Sequence, residues 1–115
     1  ALMEKPYLDA LLSRMGGRRE ILDLGCGSAE PLAKFFIDAG CRVTGVDAAA
    51  AMIAICRERY PGGEWIEADM RGLDLGRRFD AIIAWDSFFH LVPDDQRAMF
   101  PVFARHAAPG AQLLF

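Results

Sequence analysis

Acidic side chains and glycines stand at the ends of several apolar runs in this sequence, where they could bind a polar ligand. Asp23 and the glycines Gly25 and Gly27 follow the first run, Asp47 ends the second, and Asp69 follows the third. An ionised carboxylate can only accept hydrogen bonds, and glycine lets a ligand approach the backbone without a Cβ in the way. These residues favour a nucleotide-like ligand.

The loop that contains the two glycines also limits which nucleotide could bind. In the dinucleotide-binding fingerprint G-x-G-x-x-G, the third glycine would fall on Glu30. A carboxylate there would repel a pyrophosphate resting on the N-terminus of the next helix. Asp23 and Glu30 instead favour a ligand that carries positive charge, while the helix amides could still receive a single carboxylate. We therefore expect a ligand that is not a diphosphate.

The apolar periodicity predicts the elements that must position these residues. Spacings of three and four residues predict helices, and nearly continuous apolar runs predict buried strands. Three predicted helices cover residues 6–15, 31–39 and 93–107, and another has its apolar stripe over residues 48–56 and is stopped by PGG at residues 61–63. The predicted strands read EILDLG, RVTGVD, EWIEAD, FDAIIAW and PGAQLLF. A turn-rich stretch, MRGLDLGRR, connects the third and fourth strands.

This alternation is the signature of an α/β fold, a doubly wound and mostly parallel sheet. We expect the strand order 3-2-1-4-5. Such a sheet binds ligands at the carboxyl ends of its strands, where strands one and four diverge. The acidic residues and the glycine loop would then lie along one edge of the sheet.

Composition indicates one globular domain over residues 1–115, because 53% of the positions are hydrophobic and 25% are charged. A net charge of −3 argues mildly against nucleic acid as the main partner. Three cysteines without C-x-x-C spacing indicate reduced thiols rather than a disulfide framework or a zinc site. No apolar run approaches the roughly 18 residues that span a bilayer, and the N-terminus lacks a signal-peptide layout. We expect a soluble, cytoplasmic protein with no metal site and no membrane association.

The residues from the first strand onward resemble the class I S-adenosylmethionine-dependent methyltransferases. The first motif of that family has the form acidic-x-G-x-G-x-G, and residues 23–29 read DLGCGSA, with Ala29 at the third glycine position. Asp47 follows Gly25 by 22 residues, near the spacing at which an acid reaches a ribose. EADM resembles the third motif and FDAIIAWDSFFHL the fourth. The resemblance covers residues 20–115 and implies the Rossmann-like fold of these enzymes, S-adenosylmethionine as cofactor and S-adenosylhomocysteine as product.

The resemblance also implies which residues bind the cofactor. They are Asp23, Gly25, Gly27, Asp47, Ala48, Met52, Asp69, Met70 and Trp85. In this interpretation Asp47 would bind both ribose hydroxyls, and Ala48 and Met52 would pack against the adenine. Asp69 would accept a hydrogen bond from the exocyclic amine of adenine, and the backbone N–H of Met70 would donate to a ring nitrogen.

Each assignment has a structural alternative. The glycines could simply make a tight turn between strand and helix, Asp47 and Asp69 could cap helices or form turns, and Met52 could belong to the core. His90 and Asp86 could accept a proton from a bound nucleophile. A histidine beside aromatic residues is more often a packed, hydrogen-bonded residue, so no catalytic residue is assigned.

The residues do not identify the methyl acceptor. Aromatic side chains hint at an apolar pocket, namely Tyr7, Trp85, Phe88 and Phe89, and the acidity of the chain favours a small molecule over nucleic acid. The C-terminal strands usual in the family are absent, so we expect the chain to be incomplete at its C-terminus. Two other functions stay open: a module that binds S-adenosylmethionine without turnover, and an NAD-dependent oxidoreductase, although the latter should have glycine at position 30.

Overall fold

The computed structural model of the protein describes residues 5–30, 32–84 and 91–114. Helices and strands alternate along these ranges. The helices are α1 (Lys5–Met15), α2 (Leu32–Asp38), α3 (Ala50–Arg59) and α4 (Pro93–His106), and the strands are β1 (Glu20–Leu24), β2 (Arg42–Asp47), β3 (Glu64–Glu67), β4 (Phe79–Ile83) and β5 (Ala107–Leu114). Residues 68–78 contain neither helix nor strand, which confirms the predicted connection. In the described ranges no helix combines the length and the apolar character needed to cross a membrane.

The five strands form one parallel sheet with the order β3-β2-β1-β4-β5, which confirms the predicted order 3-2-1-4-5. In the register of this sheet Asp23 lies beside Gly45 on β2, and Asp47 lies beside Glu67 on β3. Since all the strands run in the same direction, their carboxyl ends meet at one edge. The loops that follow β1, β2 and β3 therefore begin close together.

Helices cover both faces of the sheet because successive strand residues point to opposite sides. Ile21 belongs to an apolar cluster with Phe36 of α2 and Ile53 of α3. Leu22, the next residue along β1, belongs to a second cluster with Met99 of α4. Burial on both faces explains why these strands are nearly continuous apolar runs.

The connection between β3 and β4 is held against the C-terminal half of α4 by hydrogen bonds. The backbone N–H of Leu75 donates to Nε2 of the fully buried His106 at 3.0 Å. Nδ1 of His106 must therefore carry the proton, which it donates to the carbonyl of Val102 at 2.8 Å. Arg105 donates to the carbonyl of Leu73 at 2.7 Å. These contacts fix the position of α4 relative to the connection between β3 and β4.

Gly45 on β2 occupies a position with no room for a side chain. A Cβ there would lie 2.5 Å from Cε3 of Trp65 and 3.0 Å from Sγ of Cys26. The Trp65 indole cannot move freely, since it is buried and donates to the carbonyl of Tyr60 at 2.7 Å. We expect Gly45→Ala to lower the free energy of unfolding by about 1–3 kcal/mol, measured by urea denaturation. Gly17→Ala is the control, because no atom lies within 4 Å of the place its new methyl group would take, and equal losses in both variants would contradict overpacking as the cause.

Candidate functional site

A cleft of about 450 Å³ lies at the carboxyl edge of the sheet. Its walls come from the loops after β1, β2 and β3 and from the beginning of α4. The lining residues are Gly25, Val46, Asp47, Ala48, Ala68, Asp69, Met70, Arg71, Leu91, Val92 and Asp95. The cleft therefore forms where the predicted sheet places its ligand site.

The glycine loop after β1 is tied to the end of β2. The backbone N–H groups of Gly25 and Cys26 both donate to the carbonyl of Val46, at 2.7 and 3.0 Å. Gly25 and Gly27 have φ angles of 77° and 56°, in the left-handed region that glycine adopts without steric cost. These angles fold the loop back over the strand ends and leave its backbone beside the cleft.

Ala29, at the third glycine position of the motif, also adopts the left-handed conformation, with φ of 74°. For a residue with a Cβ this conformation costs about 1–2 kcal/mol. Two hydrogen bonds hold it: the N–H of Ala29 donates to the carbonyl of Cys26 at 3.0 Å, and its own carbonyl accepts from the N–H of Lys34 at 2.8 Å. The departure from glycine therefore leaves the loop in a glycine-like conformation.

Asp47 connects the glycine loop to the beginning of α3. Its Oδ2 accepts the N–H of Gly27 at 2.9 Å, and its Oδ1 accepts the N–H of Ala49 at 2.8 Å. The second bond is a turn-forming contact, which is the structural alternative stated above for this residue. A carboxylate has about four lone-pair positions, so Asp47 can still accept two hydrogen bonds from a ligand.

Asp23 is a buried acid behind the glycine loop, with 5% of its surface exposed. Burial, reinforced by the negative charge of nearby Asp47, raises the pKa of Asp23 to about 7. A cation near Asp23 would favour the ionised form and lower this pKa again.

Glu30 departs from the sequence-based expectation that it contributes charge to the ligand site. Its Oε1 accepts a hydrogen bond from the Tyr60 hydroxyl at 2.8 Å, and its Oε2 lies 3.5 Å from Nη1 of Arg59. Glu30 therefore connects the loop before α2 to the end of α3, and it does not line the cleft.

Asp69 is held by Arg71, two residues further along the chain. Its Oδ1 accepts the backbone N–H of Arg71 at 2.9 Å and the guanidinium Nε at 3.0 Å, while its Oδ2 accepts Nη2 at 2.5 Å. These hydrogen bonds lower the pKa of Asp69 to about 2, and those from the Arg71 side chain contribute most. Nη1 of Arg71 donates to Oδ2 of Asp95 at 2.9 Å. Asp69 therefore stays ionised throughout the neutral range, and it too makes a turn-forming contact.

The structure places the predicted cofactor residues in three groups. Those that line the cleft are Gly25, Asp47, Ala48, Asp69 and Met70. Three of the predicted residues do not line the cleft. Gly27 is part of the glycine loop, Asp23 is buried behind this loop, and Met52 is half-buried on α3. Trp85 lies outside the described residues, as do Asp86, Phe88, Phe89 and His90, and Tyr7 is exposed on α1.

Two residues of the cleft carry charge that sequence reasoning missed, namely Arg71 and Asp95. In the sequence Asp95 is part of a helix start, and Arg71 is part of a turn-rich stretch. They are 24 residues apart, and their contact depends on how the loop after β3 lies against the first turn of α4. No local spacing rule predicts such a pair.

The polar groups of the cleft fit an adenosyl group. Asp47 and Asp69 supply acceptors for hydroxyl and amine donors, and Ala48 and Leu91 supply apolar surface. The backbone N–H of Met70 makes no hydrogen bond to any other residue in the described ranges, so it can donate to a ring nitrogen. Among the described lining residues the one cation, Arg71, is already paired with two carboxylates, which disfavours a diphosphate.

Comparison with known proteins gives matches along most of the chain. The family model of a methyltransferase domain matches residues 21–110. Malonyl-[acyl-carrier protein] O-methyltransferase of Enterobacter lignolyticus is 28% identical over 98% of this chain and 45% of that protein. A dTDP-3-amino-3,6-dideoxy-alpha-D-glucopyranose N,N-dimethyltransferase of Streptomyces fradiae is 35% identical over 92% of this chain and 42% of that protein. The chain thus spans less than half the length of these two relatives.

A solved structure has the same fold as this chain, and its sequence identity is similar to that of the two relatives above. It is the SAM-bound amino pentose methyltransferase CalS10 from Micromonospora echinaspora, with a TM-score of 0.82 and 30% identity. The alignment covers 96% of this chain and 48% of that chain. This chain therefore shares its fold with about half of that structure.

Proposed function

The chain belongs to the family of methyltransferase domains, and from this premise we propose that it binds S-adenosylmethionine in the cleft and transfers the methyl group to a small-molecule acceptor. One observation carries the proposal: Asp47, Asp69 and Met70 line the same cleft, and the backbone N–H of Met70 makes no hydrogen bond to another described residue. Together they complement the ribose hydroxyls, the amine and a ring nitrogen of an adenosyl group.

The residues of the chain contribute mainly alignment in this reaction. When bound, S-adenosylmethionine supplies a methyl carbon activated by its sulfonium for in-line displacement. Asp47 and Asp69 would fix the nucleoside, so that the methyl group is held in one place relative to the acceptor. The negative charge of Asp47, together with that of Asp23 when a nearby cation favours its ionised form, would favour the cationic cofactor over its neutral-sulfur product. No catalytic residue is assigned.

The acceptor proposal rests on the named relatives and on charge. The relatives described above act, by their names, on malonyl-[acyl-carrier protein] and on a dTDP-amino sugar. The net charge of −3 offers no broad basic field for nucleic acid. We also propose a cytoplasmic location, which three free, buried cysteines support.

Calorimetric titration tests the binding step. We expect saturable binding of S-adenosylmethionine and S-adenosylhomocysteine at one site per chain. We expect no binding of NAD, since the cation in the described lining of the cleft, Arg71, is already paired with carboxylates. Binding of NAD in place of both adenosyl compounds would instead favour an oxidoreductase.

Methyl transfer is measured separately, with a tritiated methyl group and a panel of amino sugars and carboxylic acids. We expect label to appear in at least one acceptor. Tight binding of S-adenosylmethionine without transfer to any acceptor would contradict the proposed turnover and would identify a binding module.

A further inference from the structure

Arg71 joins two acidic residues that belong to different walls of the cleft. Asp69 follows β3, and Asp95 lies in the first turn of α4. The Arg71 guanidinium contacts both carboxylates, with Nη2 2.5 Å from Asp69 and Nη1 2.9 Å from Asp95. All three side chains line the cleft. The guanidinium therefore acts as a bridge between the β3 loop and α4.

The bridge restricts an acid that packing alone does not hold. About half of the Asp69 side-chain surface is exposed. Apart from the guanidinium, the described residues give this carboxylate one hydrogen bond, from the backbone N–H of Arg71 to Oδ1, and this bond leaves Oδ2 free to turn. The planar guanidinium makes contacts with both oxygens of Asp69, which fixes the plane of the carboxylate. Because Arg71 also binds Asp95, it cannot follow a rotation of Asp69. The guanidinium therefore fixes the second oxygen of Asp69 and connects its position to α4.

We propose that Arg71 is a positioning residue, which holds the Asp69 carboxylate in the orientation that accepts the 6-amino group of adenine and so makes the cleft select adenine over a 6-oxo purine. This inference rests on the proposed cofactor site. Adenine presents a donor at position 6, whereas a 6-oxo purine presents an acceptor, which an ionised carboxylate repels. The selection requires a fixed carboxylate, since a rotating one could turn away from the wrong base.

The test compares two ligands that differ only in the purine base, S-adenosylhomocysteine and S-inosylhomocysteine. Dissociation constants are measured by calorimetry for the wild-type protein and for Arg71→Ala, Asp95→Asn and Arg78→Ala. Arg78 donates to the carbonyls of Ala104 and Ala107 at the far end of α4 and does not line the cleft. Arg78→Ala is therefore the matched control for loss of an arginine that anchors the same helix.

We expect the wild-type protein to prefer the adenosyl compound, and Arg71→Ala to reduce this preference by about tenfold or more, the effect of losing one hydrogen bond to a charged group. Asp95→Asn should reduce it in the same direction by a smaller factor, and Arg78→Ala should leave it unchanged. Equal losses of affinity for both ligands in Arg71→Ala, or no preference in the wild-type protein, would overturn the proposal. Failure of the wild-type protein to bind either ligand would instead refute the proposed function on which it rests.

Discussion

Asp47→Ala is expected to weaken binding of S-adenosylhomocysteine by about 100-fold or more, because each hydrogen bond to a charged group contributes about 1.5–3 kcal/mol. The substitution removes the acceptors of the Gly27 and Ala49 N–H groups, which hold the glycine loop and the start of α3 at the cleft. It also removes the proposed acceptors of the ribose hydroxyls. Calorimetric titration measures the loss directly.

Asp38→Ala is the control for this experiment. Asp38 is an exposed acid on α2 that pairs with Lys34 and does not line the cleft. Its removal should leave the dissociation constant unchanged, and thermal unfolding should show whether the Asp47 variant is still folded at the titration temperature. A folded Asp47→Ala protein that binds the ligand as tightly as the wild type would exclude Asp47 from the site.

Asp23→Asn should change how stability depends on pH. The pKa of Asp23 is about 7 in the folded chain, against 3.8 for an ordinary aspartate. At pH values between these two, Asp23 is protonated in the folded state and ionised in the unfolded state. This tighter binding of the proton stabilises the folded state. The stabilisation is fully present below about pH 4, declines as the pH rises towards 7, and is lost above pH 7. The loss is at most about 4 kcal/mol for a shift of this size.

Asparagine does not titrate, so the variant should lack this decline. The free energy of unfolding of Asp23→Asn, measured relative to that of the wild type, should therefore be larger at about pH 8 than at about pH 5. Urea denaturation of both proteins at these two pH values measures the difference. Asp38→Asn is the control, because it makes the same chemical change at an exposed carboxylate on α2. Parallel pH curves for Asp23→Asn and the wild type would show that Asp23 does not titrate in this range.

The arrangement of elements could be predicted because it depends on local patterns and on one general rule of chain connection. Apolar periodicity located β1, β2 and the helix that includes Ile53, and right-handed crossovers between parallel strands restricted the strand order. The position of Asp47 at the end of β2 followed directly, because strand ends meet at one edge. The placement of Asp69 after β3 followed in the same way.

The rest of the site depends on contacts between residues that are distant in sequence. Glu30 meets α3 through Tyr60, which is 30 positions further on, so its charge is used outside the cleft. Arg71 reaches Asp95 only because the β3 loop and α4 adjoin. The high pKa of Asp23 comes from burial, which sequence reasoning about charge did not consider. Packing decides all three, and packing is not a local property.

The most direct test of the cleft is a crystal structure of the chain soaked with S-adenosylhomocysteine. Electron density is expected between the glycine loop and α4, with both ribose hydroxyls donating to Asp47 and the adenine amine donating to Asp69. An empty cleft at a saturating ligand concentration, or a bound ligand with both carboxylates turned away from it, would contradict the account.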